Sequence, residues 1–172
     1  MTSVREGLFL GDKRKSADRA WLSSKNIKLV INCTNDLPCV FIDCASSPAT
    51  ATTAAEPSIR YVRIPLVDVA STDLLSEIRS TSALAELAAA MEQSIPSLVH
   101  CQAGSSRSVS VLLVHLMSYE KLSLKAAKDV VSSQVPIKPN AGFMRQLIEI
   151  ERELTGTVSL RVDELGRWVV PT

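Results

Sequence analysis

The sequence predicts a three-layer α/β domain, in which a central mixed sheet of about four to five strands carries helices on both faces. Short apolar segments of strand length alternate along the chain with longer segments that begin at helix-capping residues. This order is typical of layered α/β domains. The chain has 172 residues, of which 46% are hydrophobic, and a chain of this size can bury one substantial core.

Four segments have the length and apolar content of core strands. The first lies near Leu8, and the others cover residues 28–33, 60–64 and 97–100. Each is separated from the next by enough chain for a connection across the sheet. We therefore expect these four segments to form the centre of the sheet.

Helical segments lie between and after these strands, and several begin at a side chain that favours helix capping. The predicted helices are one capped by Ser16 that ends near Ser24, one over residues 74–92, one capped by Ser123 over residues 124–134, and one capped by Asn140 that ends near Leu154. Residues 109–117 are apolar nearly all round, so they predict a further helix that begins near Ser106 and is buried at the centre of the helical layer. His115 lies in this helix and is expected to be a buried residue without a catalytic role.

The segment HCQAGSSRS, residues 100–108, joins the last predicted strand to the buried helix. Five residues separate Cys101 from Arg107, and Gly104 can take backbone torsions that other residues avoid. A loop of this length can turn so that its N–H groups and those of the first helical turn converge on one anion. The predicted phosphate-binding residues are Gln102, Ala103, Gly104, Ser105, Ser106 and Arg107.

Cys101 is the predicted nucleophile at the floor of this loop. Cysteines at helix N-termini or beside cations have pKa values lowered from about 8.5 to roughly 3.5–7.5, so we expect a thiolate at neutral pH. Arg107 can grip two phosphate oxygens at once, and Ser108 can donate a hydrogen bond to the sulfur as it departs. His100 is expected to hydrogen-bond neighbouring backbone and hold Cys101, rather than to act as a base.

These residues form the pattern H-C-x-x-G-x-x-R-S, which resembles the signature of the cysteine-based protein tyrosine phosphatases. The chain is too short for the larger tyrosine-specific catalytic domain and looks like the compact, small atypical dual-specificity branch. Residues 6–12, 27–32 and 139–147 resemble that branch's opening strand and turn, its next core strand and its entry into the last helix. The resemblance covers roughly residues 3–154.

The resemblance implies the phosphatase fold and a phosphocysteine intermediate, with no metal or organic cofactor. It also implies a phosphoprotein substrate carrying phosphotyrosine or phosphoserine and phosphothreonine. The family carries a general acid on a loop about thirty residues before the cysteine, and Asp68 lies 33 residues before Cys101. Asp73 is the alternative, although an acidic residue after Ser71 and Thr72 more often caps a helix. Asn140 is expected to support the substrate site.

Other functions remain open on the sequence. Lipid phosphatases of the superfamily tend to carry lysines in this loop, and the absence of lysine here favours a phosphoprotein over a phosphoinositide or another non-protein substrate. A phospho-reader without catalysis should lack the cysteine, the arginine or the acid, and all three are present. A buried structural cysteine in a plain loop is the simplest alternative. The four cysteines and two histidines show no metal-ligand spacing.

The remaining features indicate the setting of the domain. We expect residues 1–154 to form the catalytic domain and residues 155–172 a C-terminal extension, extended or strand-like. The net charge of +1 gives no bias toward nucleic acid or membranes, and no apolar run approaches 18 residues. We expect a cytoplasmic protein, with the nucleus not excluded, that is a monomer or a weak homodimer.

Three further segments carry expectations of their own. Residues 45–58 are expected to form a long surface loop with a possible role in substrate recognition. Cys33 is expected to be a buried structural cysteine, with an oxidative disulfide to Cys101 as the alternative suggested by some relatives. The basic run over residues 13–15 is interpreted as a solvated face, with contact to acidic residues around a phosphosite as the alternative.

Overall fold

Five strands form the central sheet of the computed structural model, which describes residues 3–41 and 59–171. The strands are β1 (Ser3–Arg5), β2 (Leu8–Gly11), β3 (Leu29–Asn32), β4 (Arg60–Arg63) and β5 (Ser97–His100). Their spatial order is β1-β2-β5-β3-β4, with β1 antiparallel to β2 and the other neighbours parallel. The four predicted strands are confirmed, and β1 is an additional edge strand of only three residues.

Seven helices surround the sheet within the described residues. They are α1 (Lys13–Ser16), α2 (Arg19–Ser24), α3 (Leu74–Arg79), α4 (Ala83–Glu92), α5 (Arg107–Tyr119), α6 (Leu124–Ser132) and α7 (Ala141–Thr155). The predicted caps of the last two are confirmed, because Ser123 accepts a hydrogen bond from the amide of Ala126 and Asn140 accepts one from the amide of Phe143.

Two helix predictions were wrong. Ser16 does not cap a helix, since it is the last residue of α1, and the carboxylates of Asp12 and Asp18 cap α1 and α2 instead. Residues 74–92 are not one helix. The hydroxyl of Thr81 donates to the carbonyl of Ile78 and accepts from the amide of Ala83, and such local side-chain bonds compete with the helical ladder and end α3.

The two faces of the sheet bury different partners, which gives the three layers. On one face, Leu22 of α2 packs with Val30 and Leu98 of the sheet. On the other face, the main core joins the sheet to the remaining large helices. Residues 108–117 of α5 are all buried, so α5 occupies the centre of that layer as predicted.

The C-terminal residues form a short hairpin of β6 (Arg161–Val162) and β7 (Trp168–Val169). Leu160 is buried in the main core, and Val162 and Trp168 pack against it. The buried carboxylate of Glu151 accepts hydrogen bonds from the amide of Leu124 and from the amide and hydroxyl of Ser159. This carboxylate ties the last helix to both α6 and the segment that leads into the hairpin.

No helix within residues 3–41 and 59–171 is long and apolar enough to cross a membrane. The same residues contain no group of three or more His, Cys, Asp or Glu side chains that could hold a metal ion. The predicted loop over residues 45–58 lies outside the described residues.

Candidate active site

The loop between β5 and α5 is the candidate active site. It leaves the sheet after His100 and enters α5 at Arg107, so the parallel strand places it at the carboxyl edge of the sheet. Gly104 has a φ of +73°, and a Cβ atom there would lie 2.9 Å from the carbonyl oxygen of Gly11. Both the torsion and this close approach require glycine at this position.

Cys101 lies at the floor of the loop and is only 1% exposed. Burial by itself would raise the pKa of its thiol. Hydrogen bonds from the hydroxyl and amide of Ser108 and from the amides of Gly104 and Ala103 favour the thiolate, and the pKa lies below its ordinary value. The Gly104 amide and the Ser108 hydroxyl each donate to Sγ over 3.2 Å. The loop therefore provides the electrostatics expected of a nucleophilic cysteine.

Arg107 is held in place at the other end of the loop. Its Nη1 donates to the carbonyl of Leu66 over 3.2 Å, and its side chain is 11% exposed. Its buried Nε makes no hydrogen bond to any described residue. The guanidinium is thus oriented through Nη1, while Nε faces Asp68 at 3.7 Å without a hydrogen bond and can donate to an anion.

Asp68 lies across the loop from the cysteine. Its Oδ1 accepts hydrogen bonds from Ser106 Oγ at 2.7 Å and from Asn140 Nδ2 at 2.9 Å. Its Oδ2 is 3.7 Å from Arg107 Nε, and about a third of the side chain, 35%, is exposed. One oxygen is therefore fixed by neutral donors, while the other faces the arginine.

Asp73, the alternative acid, has a different position. Its carboxylate accepts a hydrogen bond from the amide of Ser76 over 2.9 Å and caps α3. It makes no hydrogen bond to the loop over residues 100–108 among the described contacts. The structure brings Asp68, and not Asp73, to the candidate site.

His100 immediately precedes the nucleophile and lies against its backbone. The imidazole is fully buried, and although it lies beside the backbone of Cys101, neither ring nitrogen makes a hydrogen bond of normal geometry within the described residues. Burial lowers the pKa of His100 to about 4. The side chain is therefore neutral and lies against the backbone of Cys101, and its role in holding that cysteine stays a prediction.

The other predicted loop residues divide among three tasks. The amides of Ala103 and Gly104 face the sulfur, whereas the hydroxyl of Ser106 is used to hold Asp68. The carbonyls of Gln102 and Ser105 accept backbone hydrogen bonds from Lys13 at 3.3 Å and Lys138 at 2.8 Å. The loop is thus pinned to the chain on both sides.

Two residues that hold the acid-bearing segment were missed by the sequence reasoning. Gln146 of α7 accepts from the amide of Leu74 at 2.7 Å and donates to the carbonyl of Thr72 at 2.8 Å. A Cβ atom on Gly142 would lie 2.0 Å from the carbonyl oxygen of Ala70. Both residues lie in the segment 139–147, which predicted the start of the last helix. The local sequence pattern does not indicate which other segment of the chain this helix contacts.

Cys33 lies in the core close to the candidate nucleophile. Its thiol is free and fully buried. Burial, and next the negative charge of Cys101, hold the pKa of Cys33 well above its ordinary value, despite the opposing effect of Arg107. The thiol is therefore neutral in this structure, which fits the interpretation of a structural cysteine.

Comparisons with known proteins agree on the class of protein. The structure of human DUSP28 superposes with a TM-score of 0.73 at 29% identity, over 89% of this chain and 93% of that one. The fold is accordingly the α/β phosphatase fold. The sequence profile described as "Dual specificity phosphatase, catalytic domain" matches residues 8–153.

The chain therefore belongs to the dual specificity phosphatases, a family of cysteine-based phosphoric monoester hydrolases. It is 38% identical over 148 residues to dual specificity protein phosphatase Mpk3 of Drosophila melanogaster. The match includes 86% of this chain and 33% of that longer protein. It is 27% identical over 172 residues to human dual specificity protein phosphatase 14, covering 79% of that protein. The chain thus spans about a third of the Drosophila protein.

Proposed function

We propose that the protein hydrolyses phosphotyrosine and phosphoserine or phosphothreonine monoesters of proteins through a phosphocysteine intermediate. The observation that carries the proposal is the pair of hydrogen bonds to Cys101 Sγ, from the Gly104 amide and the Ser108 hydroxyl. They favour a thiolate at the floor of a loop whose other end carries Arg107. Membership of the dual specificity phosphatase family supports the same reaction class.

In the first step, Cys101 Sγ attacks the phosphorus and the bond to the leaving oxygen breaks. The Nε of Arg107, which makes no hydrogen bond to any described residue, and the loop amides stabilise the charge on the equatorial oxygens. Asp68 protonates the leaving oxygen. Because Oδ1 already accepts two hydrogen bonds, Oδ2 is the oxygen that carries the transferable proton.

In the second step, water attacks the phosphocysteine and gives its proton to Asp68, which returns to its starting state. The bond between sulfur and phosphorus breaks, and inorganic phosphate leaves. The hydroxyl of Ser108 lies 3.2 Å from the sulfur, so it can stabilise the departing thiolate.

The most direct test compares three variants on a small aryl phosphate and on a phosphoserine peptide. Cys101→Ser should lose turnover on both. Asp68→Asn should lose roughly 100-fold or more in kcat on the peptide, and less on the aryl phosphate, whose leaving group needs little protonation. Asp73→Asn is the matched control and should stay near the wild type, because an asparagine still caps a helix. Turnover by Cys101→Ser, or equal effects of the two aspartates, would contradict the assignment.

Substrate class is tested with a panel of phosphotyrosine peptides, phosphothreonine peptides and inositol lipids. The loop over residues 102–106 contains no lysine, which favours the peptides. Faster turnover of the lipids would support the non-protein alternative. Binding of the peptides without turnover would support a phospho-reader.

The proposal includes a setting for the reaction. A catalytic thiolate needs a reducing compartment, so we place the protein in the cytoplasm, as a monomer or a weak homodimer. Fractionation of cells and sedimentation of the purified protein check these two points. Recovery from an oxidising compartment, or a tight oligomer, would contradict them.

A further inference from the structure

A groove of about 540 Å³ lies beside the catalytic loop, and the proposed mechanism does not use it. Its walls come from the turn between β2 and α1, from α2 and from the loop itself. The lining includes Arg14, Lys15, Trp21, Ala103 and Gly104. The groove thus combines two basic side chains, one carboxylate, that of Asp12, an aromatic side chain and part of the phosphate-binding backbone.

The groove and the candidate active site share a wall. Gly104 lines the groove, and its amide donates to Cys101 Sγ. The amide of Lys13 donates to the carbonyl of Gln102 over 3.3 Å, so the basic turn is attached directly to the loop. Since an extended peptide advances about 3.3–3.6 Å per residue, residues close to a phosphorylated side chain at Cys101 come within reach of the groove.

The charge beside the groove is positive. Residues 12–19 contain four Lys or Arg and two Asp. The carboxylate of Asp12 is already occupied by the amides of Arg14 and Lys15 and by the guanidinium of Arg14. The ammonium of Lys13 is exposed and makes no hydrogen bond or ion pair with any described residue.

The two basic side chains that line the groove are available to a ligand. The side chain of Arg14 is 86% exposed. Lys15 Nζ lies 3.4 Å from Asp18 and 5.4 Å from the centre of the Trp21 ring, with 46% of its side chain exposed. Exposed ion pairs of this kind contribute about 1 kcal/mol or less, so an incoming anion can replace them.

We propose that this groove is a secondary anionic subsite, which binds a carboxylate or a second phosphate on a peptide whose phosphorylated residue occupies the loop at Cys101. The proposal rests on the proposed function and specifies its substrate class as acidic or multiply phosphorylated sequences. Arg14 offers the anion its planar guanidinium, whose Nε and Nη2 exchange Asp12 for the ligand, and Lys15 offers a point charge. The ammonium of Lys15 lies over the Trp21 ring, which adds an aromatic face to the subsite.

The kinetic test uses a set of phosphotyrosine peptides. At each position next to the phosphotyrosine, in turn, the peptide carries alanine, glutamate or phosphoserine. For the wild type, kcat/KM should be about fivefold higher on a peptide with an anionic neighbour than on the alanine peptide. A fivefold difference corresponds to roughly 1 kcal/mol. The double variant R14A/K15A should bring this ratio close to one. Lys25→Ala is the control, because Lys25 follows α2 at the end of the sheet where the strands begin, away from the catalytic loop. This variant should leave the ratio unchanged.

A binding test separates the subsite from the chemistry. In a Cys101→Ser protein that also carries Trp168→Phe, Trp21 is the one tryptophan left in the sequence, so its fluorescence reports the groove. The anionic peptides should change this fluorescence and bind about fivefold more tightly than the alanine peptide, with the difference lost in R14A/K15A and reduced by salt.

The outcomes distinguish the two proposals. Turnover without preference for an anionic neighbour, or a preference that survives in R14A/K15A, overturns the subsite and leaves the proposed function standing. Absence of turnover by the wild type, with binding that still depends on Arg14 and Lys15, overturns the catalytic proposal and leaves the subsite. Faster turnover of soluble inositol phosphates than of any peptide overturns the assignment of the groove to peptides. A preference for glutamate or for phosphoserine identifies the source of the anion.

Discussion

Cys101 is a buried thiol whose ionisation depends on a few hydrogen bonds. Burial opposes the thiolate, and the donors around Sγ reverse that effect, so that the pKa of Cys101 lies below its ordinary value. Ser108 contributes both its hydroxyl and its amide. It is therefore the residue whose side chain most directly tests this balance.

Ser108→Ala should raise the pKa of Cys101 and slow hydrolysis of the phosphocysteine. A hydrogen bond to a charged group is worth about 1.5–3 kcal/mol, which corresponds to a loss of roughly tenfold or more in the second step. The pH dependence of alkylation by iodoacetamide measures the pKa of the Cys101 thiol. A burst of alcohol product followed by slow turnover shows that hydrolysis of the phosphocysteine has become slower.

The matched control is Ser110→Ala in the same buried helix, because the Ser110 hydroxyl donates to the carbonyl of Ser106 and does not touch the sulfur. This variant should keep the alkylation profile of the wild type. An unchanged profile in Ser108→Ala would show that the hydroxyl does not govern the thiol.

At the residue scale, the sequence predicted the residues whose chemistry depends on position along one loop. Cys101, Arg107 and Ser108 follow from their spacing, and Asp68 follows from the family resemblance. The bonds of Ser106 and Asn140 to Asp68 could not be predicted, because they join segments that are 38 and 72 residues apart in the chain. The full burial of His100 also depends on surroundings that the local pattern does not contain.

The segment that carries Asp68 is held at its far end by α7. Gln146 bonds to both Thr72 and Leu74, and the lack of a side chain on Gly142 lets the backbone at Ala70 approach the helix. Asn140 at the start of α7 then bonds to Asp68 itself. The last helix thus positions the acid through three contacts along one face.

Gln146→Ala should loosen this segment and reduce the contribution of the acid. We expect kcat to fall about tenfold on a phosphoserine peptide and much less on a small aryl phosphate, because only the poor leaving group needs a well-placed proton. A plot of kcat against leaving-group pKa measures the effect as a steeper slope.

Gln93→Ala is the control for this prediction, since Gln93 is an exposed residue at the end of α4, at the opposite edge of the sheet. Its slope should equal that of the wild type. A parallel loss on both substrates in Gln146→Ala would indicate general destabilisation and not positioning of the acid.

At the scale of elements, the strands were easier to predict than the helix boundaries. The core strands β3 and β5 are buried on both faces, and each contains consecutive apolar residues that are easy to see in a sequence. The break between α3 and α4 depends on the Thr81 hydroxyl bonding to both helices. The 74–92 segment contains enough Ala and Leu to hide that break, because hydrophobic periodicity does not register a local hydroxyl bond.

The whole molecule buries both of its histidines as neutral groups. The pKa of His100 and that of His115 are each lowered to about 4, in both cases mainly by burial. The unfolded chain has ordinary histidines with a pKa near 6.5. Between about pH 6.5 and 4, the unfolded state therefore binds more protons than the folded state, so stability is complete above pH 6.5 and is lost as the pH falls.

The free energy of unfolding should fall by about 2 kcal/mol for each imidazole between pH 7.5 and pH 5. His115 stacks on Tyr119 with ring centres 5.3 Å apart and lies away from the loop, so His115→Gln is the variant of choice. Urea denaturation at the two pH values should show a smaller drop for His115→Gln than for the wild type. An equal fall in the free energy of unfolding for both proteins would mean that His115 is not a buried, neutral side chain.

The central claim is that the phosphoryl group passes through the sulfur of Cys101. The most direct measurement is a rapid quench of the Ser108→Ala protein in denaturant at mildly alkaline pH, where the bond between sulfur and phosphorus survives, during turnover of a labelled phosphopeptide. Mass spectrometry of the proteolytic fragments follows. We expect one transient phosphorylated fragment, which contains Cys101 and is absent from Cys101→Ser. Phosphate on any other residue, or turnover with no phosphorylated fragment in the quenched protein, would contradict it.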